Sequence, residues 1–282
     1  MSRTSLDDIT GMDGDDQFAS FRDRFDIPEG VIYLDGNSLG CLPKATRERV
    51  NDVVTREWGQ DLIRSWNTND WINAPTRIGD KIARLVGADA GEIITGDSTS
   101  INVFKCLSAC LKLYSERYTL MTETGNFPTD AYMIEGLAAI APDHIKSKQV
   151  DPDAVVDSLD DTIAALLLTH THYKTGHIRD MKAVTAAAHA TGVPVIWDLS
   201  HSCGAMPVDL NSCKADFAVG CGYKYLNGGP ALRPSHLWPG GIRKKCFRPC
   251  PAGWDTNNPL PSMTPIRPGP AFIVFSAAHP ES

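Results

Sequence analysis

The feature that most constrains the fold is a pair of short apolar segments, residues 193–197 and 216–220. Continuous apolar runs of this length are typical of strands that are buried on both faces of a parallel sheet. The first run leads into Asp198, and the second passes through a glycine-containing turn into Tyr223 and Lys224. Since ligands of open α/β sheets bind beyond the carboxyl ends of the strands, these side chains predict a binding edge.

The sequence before this pair predicts the same topology. Residues 164–168 form another apolar run, and residues 180–192 have the pattern of a helix that ends at Gly192. A strand, a helix and a strand at this spacing predict a parallel βαβ unit. Shorter patterns predict strands at 93–94 and 120–122 and helices at 18–25, 44–59, 77–87 and 101–114. We therefore predict an α/β fold with a mostly parallel sheet covered by helices.

A lysine and a carboxylate at one sheet edge suit pyridoxal 5'-phosphate (PLP). This cofactor needs a lysine for covalent attachment and an acidic residue or arginine beside its pyridine nitrogen. Taken singly, Lys224 is more readily explained as a solvated lysine and Asp198 as a turn or cap residue. Their placement at successive strand ends, with His201 and Tyr223 beside them, favours a shared PLP site.

Five segments, taken together and in order, resemble one known enzyme family. They are YLDGNSLG at 33–40, IRSWN at 63–67, NFPTD at 126–130, WDLSH at 197–201 and GYKYLNGG at 222–229. The chain resembles kynureninase, a PLP-dependent family of the aspartate-aminotransferase fold type. The resemblance runs from about Phe18 to Gly229. It implies a PLP-binding large domain over residues 18–229, preceded by a flexible leader over residues 1–17.

The resemblance also implies a set of site residues. It gives Lys224, Tyr223 and Asp198 catalytic roles, and it implies substrate contacts for Asn37, Ser38 and Trp66. Cofactor contacts are expected at the residues that open two helices or end strands, namely Thr99, Ser100, Phe127, Pro128, Thr129, Asp130, Thr169, Asp198, His201, Tyr223 and Lys224.

Several of these positions have a purely structural alternative. Thr99 and Ser100 open a helix, where small hydroxyl residues serve either as N-caps or as part of a phosphate site. Phe127 either packs in the core or stacks on a flat heteroaromatic ring. Trp66 is either a core residue or an aromatic wall for the substrate. The resemblance favours the functional alternative at each position.

The activity that the resemblance implies is hydrolytic cleavage of the Cβ–Cγ bond of L-kynurenine, or of 3-hydroxykynurenine. The products are anthranilate (or its 3-hydroxy form) and L-alanine, in tryptophan catabolism and NAD precursor synthesis. Fold alone does not fix chemistry, so an aminotransferase or a cysteine desulfurase of the same fold type stays open. A third alternative is an inactive, truncated PLP-binding remnant.

Composition narrows the other possibilities. The net charge of -7, without a basic patch, argues against a nucleic-acid partner. No apolar run approaches the ~20 residues that cross a bilayer. The eight cysteines include no CxxC pair, and His170 and His172 have no third ligand nearby, so we expect no metal site. We expect a cytoplasmic protein, and the family resemblance adds a homodimer.

Two regions give weaker expectations. Residues 31–34 predict a short strand, whereas residues 230–282 are rich in proline and glycine and show no helix or strand period. Such composition predicts a disordered tail. Alternatively, residues 252–262, back-translated and read in another frame, spell a segment that resembles the family's Gly-Trp-x-Gly-His motif. This predicts a frameshift near Pro230 and loss of the family's small C-terminal domain, including its arginine for the substrate carboxylate.

Overall fold

The computed structural model of this protein describes residues 5–230 and the backbone of residues 235–237. Its strands are β1 (Phe25–Asp26), β2 (Leu42–Pro43), β3 (Ile93–Asp97), β4 (Thr119–Glu123), β5 (Lys146–Val150), β6 (Ile163–Thr169), β7 (Val195–Asp198), β8 (Phe217–Gly220) and β9 (Ser235–Leu237). Strands β1 and β2 form a small antiparallel sheet. The others form a seven-stranded sheet in the order β3-β9-β8-β7-β6-β4-β5. Its strands from β8 to β5 are parallel, while β9 is antiparallel to β3 and β8.

Helices precede and connect these strands. They are α1 (Leu6–Gly14), α2 (Lys44–Asp52), α3 (Ser65–Thr68), α4 (Ala74–Val86), α5 (Thr99–Leu113), α6 (Pro128–Ile140) and α7 (Met181–Ala190). Short 3-10 segments cover Ala19–Arg24, Leu62–Arg64 and Pro152–Ala154, and a π-helical turn at Val53–Trp58 extends α2. The predicted α/β class is confirmed. The predicted strands and helices are present with shifted ends, except that the helix expected at residues 18–25 is a 3-10 segment and residues 31–34 form no strand.

The sheet is buried on both faces, because its strands alternate their side chains between two apolar layers. Val195 and Trp197 of β7 pack in the layer with α4 and α7, while Ile196 packs in the layer with α5 and α6. All seven residues of β6 are buried. Parallel register then brings Thr169, the last residue of β6, opposite Asp198, the last residue of β7.

The N-terminal part contains a helix that the sequence did not predict and lacks a strand that it did. Within the expected leader over residues 1–17, Leu6–Gly14 forms helix α1, none of whose residues is buried. Ser5 and Asp8 form a capping box, which satisfies backbone donors at its start. The strand predicted at residues 31–34 is wrong, because this segment is an irregular loop in which Ile32 is 84% exposed. An apolar run predicts a strand only where a neighbouring strand can pair with it.

The sheet also contains two strands that the sequence did not predict. Lys146–Val150 forms edge strand β5, whose polar side chains are largely exposed. Ser235–Leu237 forms β9 between β3 and β8, although we expected no strand period after Pro230. The expectations for residues 238–282, including the alternative frame at 252–262, lie outside the described residues.

Candidate functional site

Lys224 lies at the centre of the polar groups beyond the carboxyl edge. Its side chain is buried, and its Nζ lies 2.8 Å from Nε2 of His201. The rings of Phe127 and Tyr223 each lie 5.7 Å from the same nitrogen. Burial lowers the pKa of His201, and the charge of Lys224 lowers it further. A neutral His201 ring can therefore accept a hydrogen bond from the lysine side chain.

Two carboxyl groups lie near this lysine. Asp198 is buried at the end of β7, where its Oδ1 accepts a hydrogen bond from the backbone N–H of Ser200 at 2.7 Å. Asp130 is fully buried in α6, and neither of its carboxyl oxygens has a hydrogen-bond partner among the described residues. Burial raises the pKa of Asp130 well above its usual range, and the charge of Asp198 adds to this, while Lys224 opposes it. Asp130 is thus a carboxyl group with a raised pKa and no partner among the described residues, close enough to Asp198 and Lys224 to feel their charges.

Tyr223 precedes Lys224 in the turn after β8. Burial raises the pKa of its phenol to about 12, helped by Cys221 and the charge of Asp198. The hydroxyl group therefore stays protonated at neutral pH and can donate to an acceptor.

Thr169 belongs to a buried hydrogen-bond chain that the sequence did not reveal. Its Oγ1 donates to Oδ1 of Asn126 at 2.5 Å, and the same oxygen accepts from the backbone N–H of Phe127 at 2.7 Å. The Asn126 amide donates to Thr122 at 2.9 Å. This chain ties the end of β6 to the loop that carries Phe127. The signal that could have found it is the run of polar residues inside and after the buried strand β4.

The loop after β4 leads into α6, which begins at Pro128, where the missing N–H costs no hydrogen bond. Phe127 and Thr129 are partly buried there, and Pro128 is exposed. The structure thus places Phe127 and Asp130 near Lys224, while Pro128 and Thr129 lie between them in the first turn of the helix.

At the start of α5 the cap is formed by Ser98, whose Oγ accepts from the backbone N–H of Ile101 at 3.1 Å. Thr99 and Ser100 are the first residues of the helix itself. Ser98 is therefore the N-cap of α5, and not Thr99 or Ser100. The two residues predicted to bind phosphate lie in the first turn, at the positive end of the helix dipole.

The loop over residues 35–40 lies against the turn that carries Lys224. The N–H of Gly40 donates to the carbonyl of Tyr223 at 2.8 Å, and the N–H of Ser38 donates to that of Asp35 at 3.0 Å. Asn37 is partly buried in this loop. Two of the three predicted substrate residues thus lie in a loop that contacts the turn carrying Lys224.

Trp66 lies in a different setting. Its ring meets that of Trp71 edge-on, with 6.5 Å between centroids, and the indole N–H of Trp71 donates to Glu57 at 2.6 Å. These partners belong to the N-terminal part of the chain and not to the strands that deliver Lys224. The substrate role of Trp66 stays a prediction.

Other site chemistries find less support in the described part of the chain. No group of three or more metal-ligating side chains occurs there. Burial raises the pKa of Cys203 to about 12 and also raises that of Cys221. Both thiols therefore carry little thiolate, the form that acts as a nucleophile. Within the described residues, no helix has the length and apolar character needed to cross a membrane.

Comparison with known proteins identifies the family of this chain. The family model described as aminotransferase class-V matches residues 32–231. The chain belongs to this family. The match includes every residue of the edge described above, from the loop at 35–40 to Lys224.

Individual members give a finer comparison. The chain is 48% identical to the kynureninase of Pseudomonas fluorescens, over 83% of this chain and 58% of that protein. It is 42% identical to the kynureninase of Burkholderia pseudomallei (strain 1106a), over 95% of this chain and 66% of that protein. The chain thus spans about three fifths to two thirds of the length of these relatives. The Burkholderia alignment also extends beyond Gly229, where we had expected the resemblance to stop.

Solved structures with the same fold are more distant in sequence. A mutant of the cystine C-S lyase C-DES, with glycine covalently linked to its PLP cofactor, superposes with a TM-score of 0.70 at 16% identity. The superposition covers 80% of this chain and 61% of the C-DES chain. The cysteine desulfurase CsdA from Escherichia coli gives 0.67 at 16% identity, over 81% and 59% of the two chains. At this identity the likeness shows the fold and not the reaction.

The residues present fit the cofactor that the family uses. An unpartnered buried carboxyl group at Asp130 needs a polar partner that the described residues do not supply. Lys224 offers an amine, Asp198 an acceptor and Phe127 a ring, all at one edge of the sheet. Family membership and this donor set support pyridoxal 5'-phosphate as the cofactor.

Proposed function

We propose that this protein is a kynureninase, which hydrolyses L-kynurenine or 3-hydroxykynurenine to L-alanine and the corresponding anthranilate. The observation that carries the proposal is the buried Lys224 beside His201, Asp198 and Asp130, in a chain 42–48% identical to two kynureninases. Since the chain spans 58–66% of those relatives, the activity of the 282-residue chain has to be measured.

Each residue has a role that its environment supports. Bound PLP supplies an electron sink for carbanion chemistry on an amino acid. Lys224 holds the cofactor and moves a proton at the substrate Cα. Asp198 accepts the pyridine N–H, and the protonated Tyr223 donates to the carbonyl oxygen of the substrate during hydrolysis. These three residues form the catalytic set.

The remaining predicted residues bind and orient. Thr99 and Ser100 hold the cofactor phosphate at the start of α5, where free N–H groups favour an anion. Phe127 covers one face of the ring, while His201, Thr169 and Asp130 contact its polar groups. Pro128 and Thr129 shape the turn between Phe127 and Asp130. Asn37, Ser38 and Trp66 contact the substrate.

We also propose that the protein acts as a homodimer in the cytoplasm. The support for association is the number of large apolar side chains left exposed in the N-terminal part, among them Leu6, Leu34 and Ile63 at 78%, 87% and 75%. Sedimentation of the purified chain at several concentrations tests this, and a monomer at every concentration would contradict it.

The cofactor assignment is tested first by absorbance. Adding PLP to the purified chain should produce a visible band, and Lys224→Ala should abolish it because the covalent attachment is lost. Lys182→Ala is the matched control, since Lys182 is an exposed lysine on α7. A wild-type chain that is folded by circular dichroism but gives no band would exclude this role for Lys224.

The reaction is tested separately with kynurenine, by following anthranilate fluorescence. Release of anthranilate without added keto acid supports the proposal. Amino transfer that depends on a keto acid would instead make the protein an aminotransferase, and release of sulfur from cysteine would make it a desulfurase. The raised pKa values of Cys203 and Cys221 disfavour the last alternative for the described cysteines.

A second candidate is a PLP-binding protein with little or no turnover. All the proposed cofactor residues fall between Thr99 and Lys224, whereas the chain spans only part of its relatives. Titration of PLP and kynurenine cleavage on one sample separate the two candidates. A normal PLP band with turnover depressed by orders of magnitude would favour the second candidate, and near-normal turnover would exclude it.

A further inference from the structure

The loop after β6 places an aromatic side chain against the groups that surround Lys224. The ring of Tyr173 meets Phe127 edge-on, with 5.2 Å between centroids and an interplanar angle of 80°. The same ring lies 6.4 Å from that of His201, tilted by 32°. Phe127 and His201 are both neighbours of the Lys224 amine. Tyr173 therefore joins two sides of the proposed pocket that come from different loops.

His172 holds this tyrosine on its other face. The two rings stack with 5.2 Å between centroids and 24° between planes. Nδ1 of His172 faces the backbone N–H groups of Lys174 at 3.2 Å and Thr175 at 3.3 Å, so this nitrogen accepts. Nε2 lies 3.1 Å from the carbonyl of Gly125 and must therefore donate. The surroundings thus select one neutral tautomer of His172.

These bonds connect two separate loops. Lys174 and Thr175 belong to the loop after β6, whereas Gly125 belongs to the loop after β4 and precedes Asn126 and Phe127 directly. Gly125 has a φ of +82°, so the chain turns sharply at the residue that accepts from His172. A histidine that accepts from one loop and donates to the other fixes the distance between them.

We propose that His172 is a positioning residue that holds Tyr173 as a wall of the cofactor pocket, against Phe127 and His201. The proposal rests on the proposed function in one respect, namely that PLP binds at Lys224. Nothing in it requires that kynurenine be the substrate. A stacked, hydrogen-bonded wall reduces the freedom of Phe127 and His201 before the cofactor arrives, which strengthens binding.

Three substitutions separate the two sets of bonds. His172→Asn keeps an oxygen that can accept from the N–H groups two and three residues ahead, as asparagine does in turns, but it cannot reach Gly125. The glutamine side chain of His172→Gln can still donate to the carbonyl of Gly125, but it no longer offers an acceptor to the N–H groups of Lys174 and Thr175. His172→Leu loses both. His177→Leu is the matched control, because His177 lies exposed in the same loop.

The first measurement uses the protein without cofactor. We expect the amides of Lys174 and Thr175 to exchange hydrogen faster in His172→Leu and His172→Gln, and to stay protected in His172→Asn and His177→Leu. This readout reports the bonds themselves and is independent of any activity. Unchanged exchange in His172→Leu would contradict the tautomer and the role assigned to it.

The second measurement is PLP affinity by absorbance titration. We expect His172→Leu to raise the dissociation constant on the order of tenfold, which corresponds to the loss of a few neutral hydrogen bonds. Tyr173→Leu should have a similar effect, and Tyr173→Phe a small one because the ring is kept. His177→Leu should bind as the wild type does.

The double variant His172→Leu/Tyr173→Leu decides whether the histidine acts through the tyrosine. If it does, the double variant should bind PLP no more weakly than either single variant. Fully additive effects, or wild-type affinity in His172→Leu, would overturn the proposal. A wild-type chain that binds no PLP would overturn it together with the cofactor assignment. Normal PLP binding without kynurenine cleavage would count only against the proposed reaction.

Discussion

The sheet region and the N-terminal region of this chain are held together by different interactions. In β6 every residue is buried, and the strands beside it form two continuous apolar layers. Between residues 5 and 72 only Glu57 and Ser65 are buried, and both are polar. Apolar packing therefore holds the candidate site residues at the sheet edge in position. Hydrogen bonds and ion pairs hold the candidate site residues of the N-terminal region.

The polar cluster around Glu57 shows how the N-terminal region is organised. Its carboxylate accepts from Trp71 at 2.6 Å and pairs with Arg49 at 2.8 Å and Arg56 at 3.2 Å, while the hydroxyl of Ser65 donates to its backbone carbonyl. The Trp71 hydrogen bond lowers the pKa of Glu57, and Arg49 contributes to this. Such partly exposed ion pairs weaken as salt rises, whereas apolar burial does not.

The largest expected effect comes from removing apolar packing in the sheet. Leu167→Ala in β6 should lower the free energy of unfolding by about 2–5 kcal/mol, because a fully buried leucine leaves a cavity. The paired change in the N-terminal region, Ile63→Ala, should alter it by no more than about 0.5 kcal/mol, since Ile63 is 75% exposed. Urea denaturation of both variants gives the two values. Equal losses would mean that the N-terminal region packs more tightly than the contrast implies.

A smaller effect is expected where the two regions meet. A Cβ added at Gly40 would overlap the carbonyl oxygen of Lys224 and the side chain of Asn227, and would lie 2.8 Å from the Asn227 Cα. Gly40→Ala should therefore cost about 1–3 kcal/mol, because backbone atoms have to shift. It should also weaken the PLP band, since the displaced turn carries Lys224.

Gly36 provides the control for this substitution in the same loop. A Cβ there would meet only ring carbons of Tyr225, at 3.7 and 3.8 Å, which is ordinary contact distance. Gly36→Ala should leave both stability and the PLP band close to wild type. A loss in Gly36→Ala as large as that in Gly40→Ala would show that the loop itself, and not its contact with the Lys224 turn, is sensitive.

The same contrast explains what the sequence could predict of the fold. Strands β6, β7 and β8 were predictable because burial on both faces leaves continuous apolar runs. Strand β5 was missed because its residues, KSKQV, are polar at an exposed edge. Strand β9 was missed because it lies in a segment rich in proline and glycine, and one of the two strands it pairs with, β3, is far away in sequence.

The residues of the candidate site also differ in how far the sequence could predict them. The positions of Asp198 and Lys224 were predictable, since Asp198 ends the buried strand β7 and Lys224 follows the buried strand β8 after a short turn. Asn126 and His172 were not predicted, because their roles depend on contacts between loops that are 43 and 47 residues apart in the sequence. Trp66 was predicted from a motif alone, and one contact that it makes in the structure is with the ring of Trp71. A motif names a residue, but only the packing around it gives its neighbours.

The smallest expected effect concerns the one buried carboxyl group of the site that lacks a partner among the described residues. Because Asp130 has its pKa raised in the folded state, it holds a proton that the unfolded chain releases above the usual aspartate pKa. Its contribution to stability is therefore greatest in acid and is lost as pH rises toward the folded pKa. Asn has a similar shape and does not titrate, so Asp130→Asn should become more stable relative to wild type as pH increases. The gain is at most about 1.4 kcal/mol per pH unit, the limit for one proton.

Urea denaturation of the cofactor-free chain at several pH values between about 4 and about 8 measures this difference, because the other titrating groups are common to both proteins. Asp157→Asn, at an exposed position, controls for the change of side chain. PLP affinity should fall in Asp130→Asn, whereas stability rises. The substitution replaces a carboxyl donor by an amide in the pocket formed with Lys224 and Asp198. An Asp130→Asn variant whose stability relative to wild type is the same at every pH would show that the pKa of Asp130 is not raised in the folded chain. Asp130 would then be ionised at neutral pH and could not act as a donor to the cofactor.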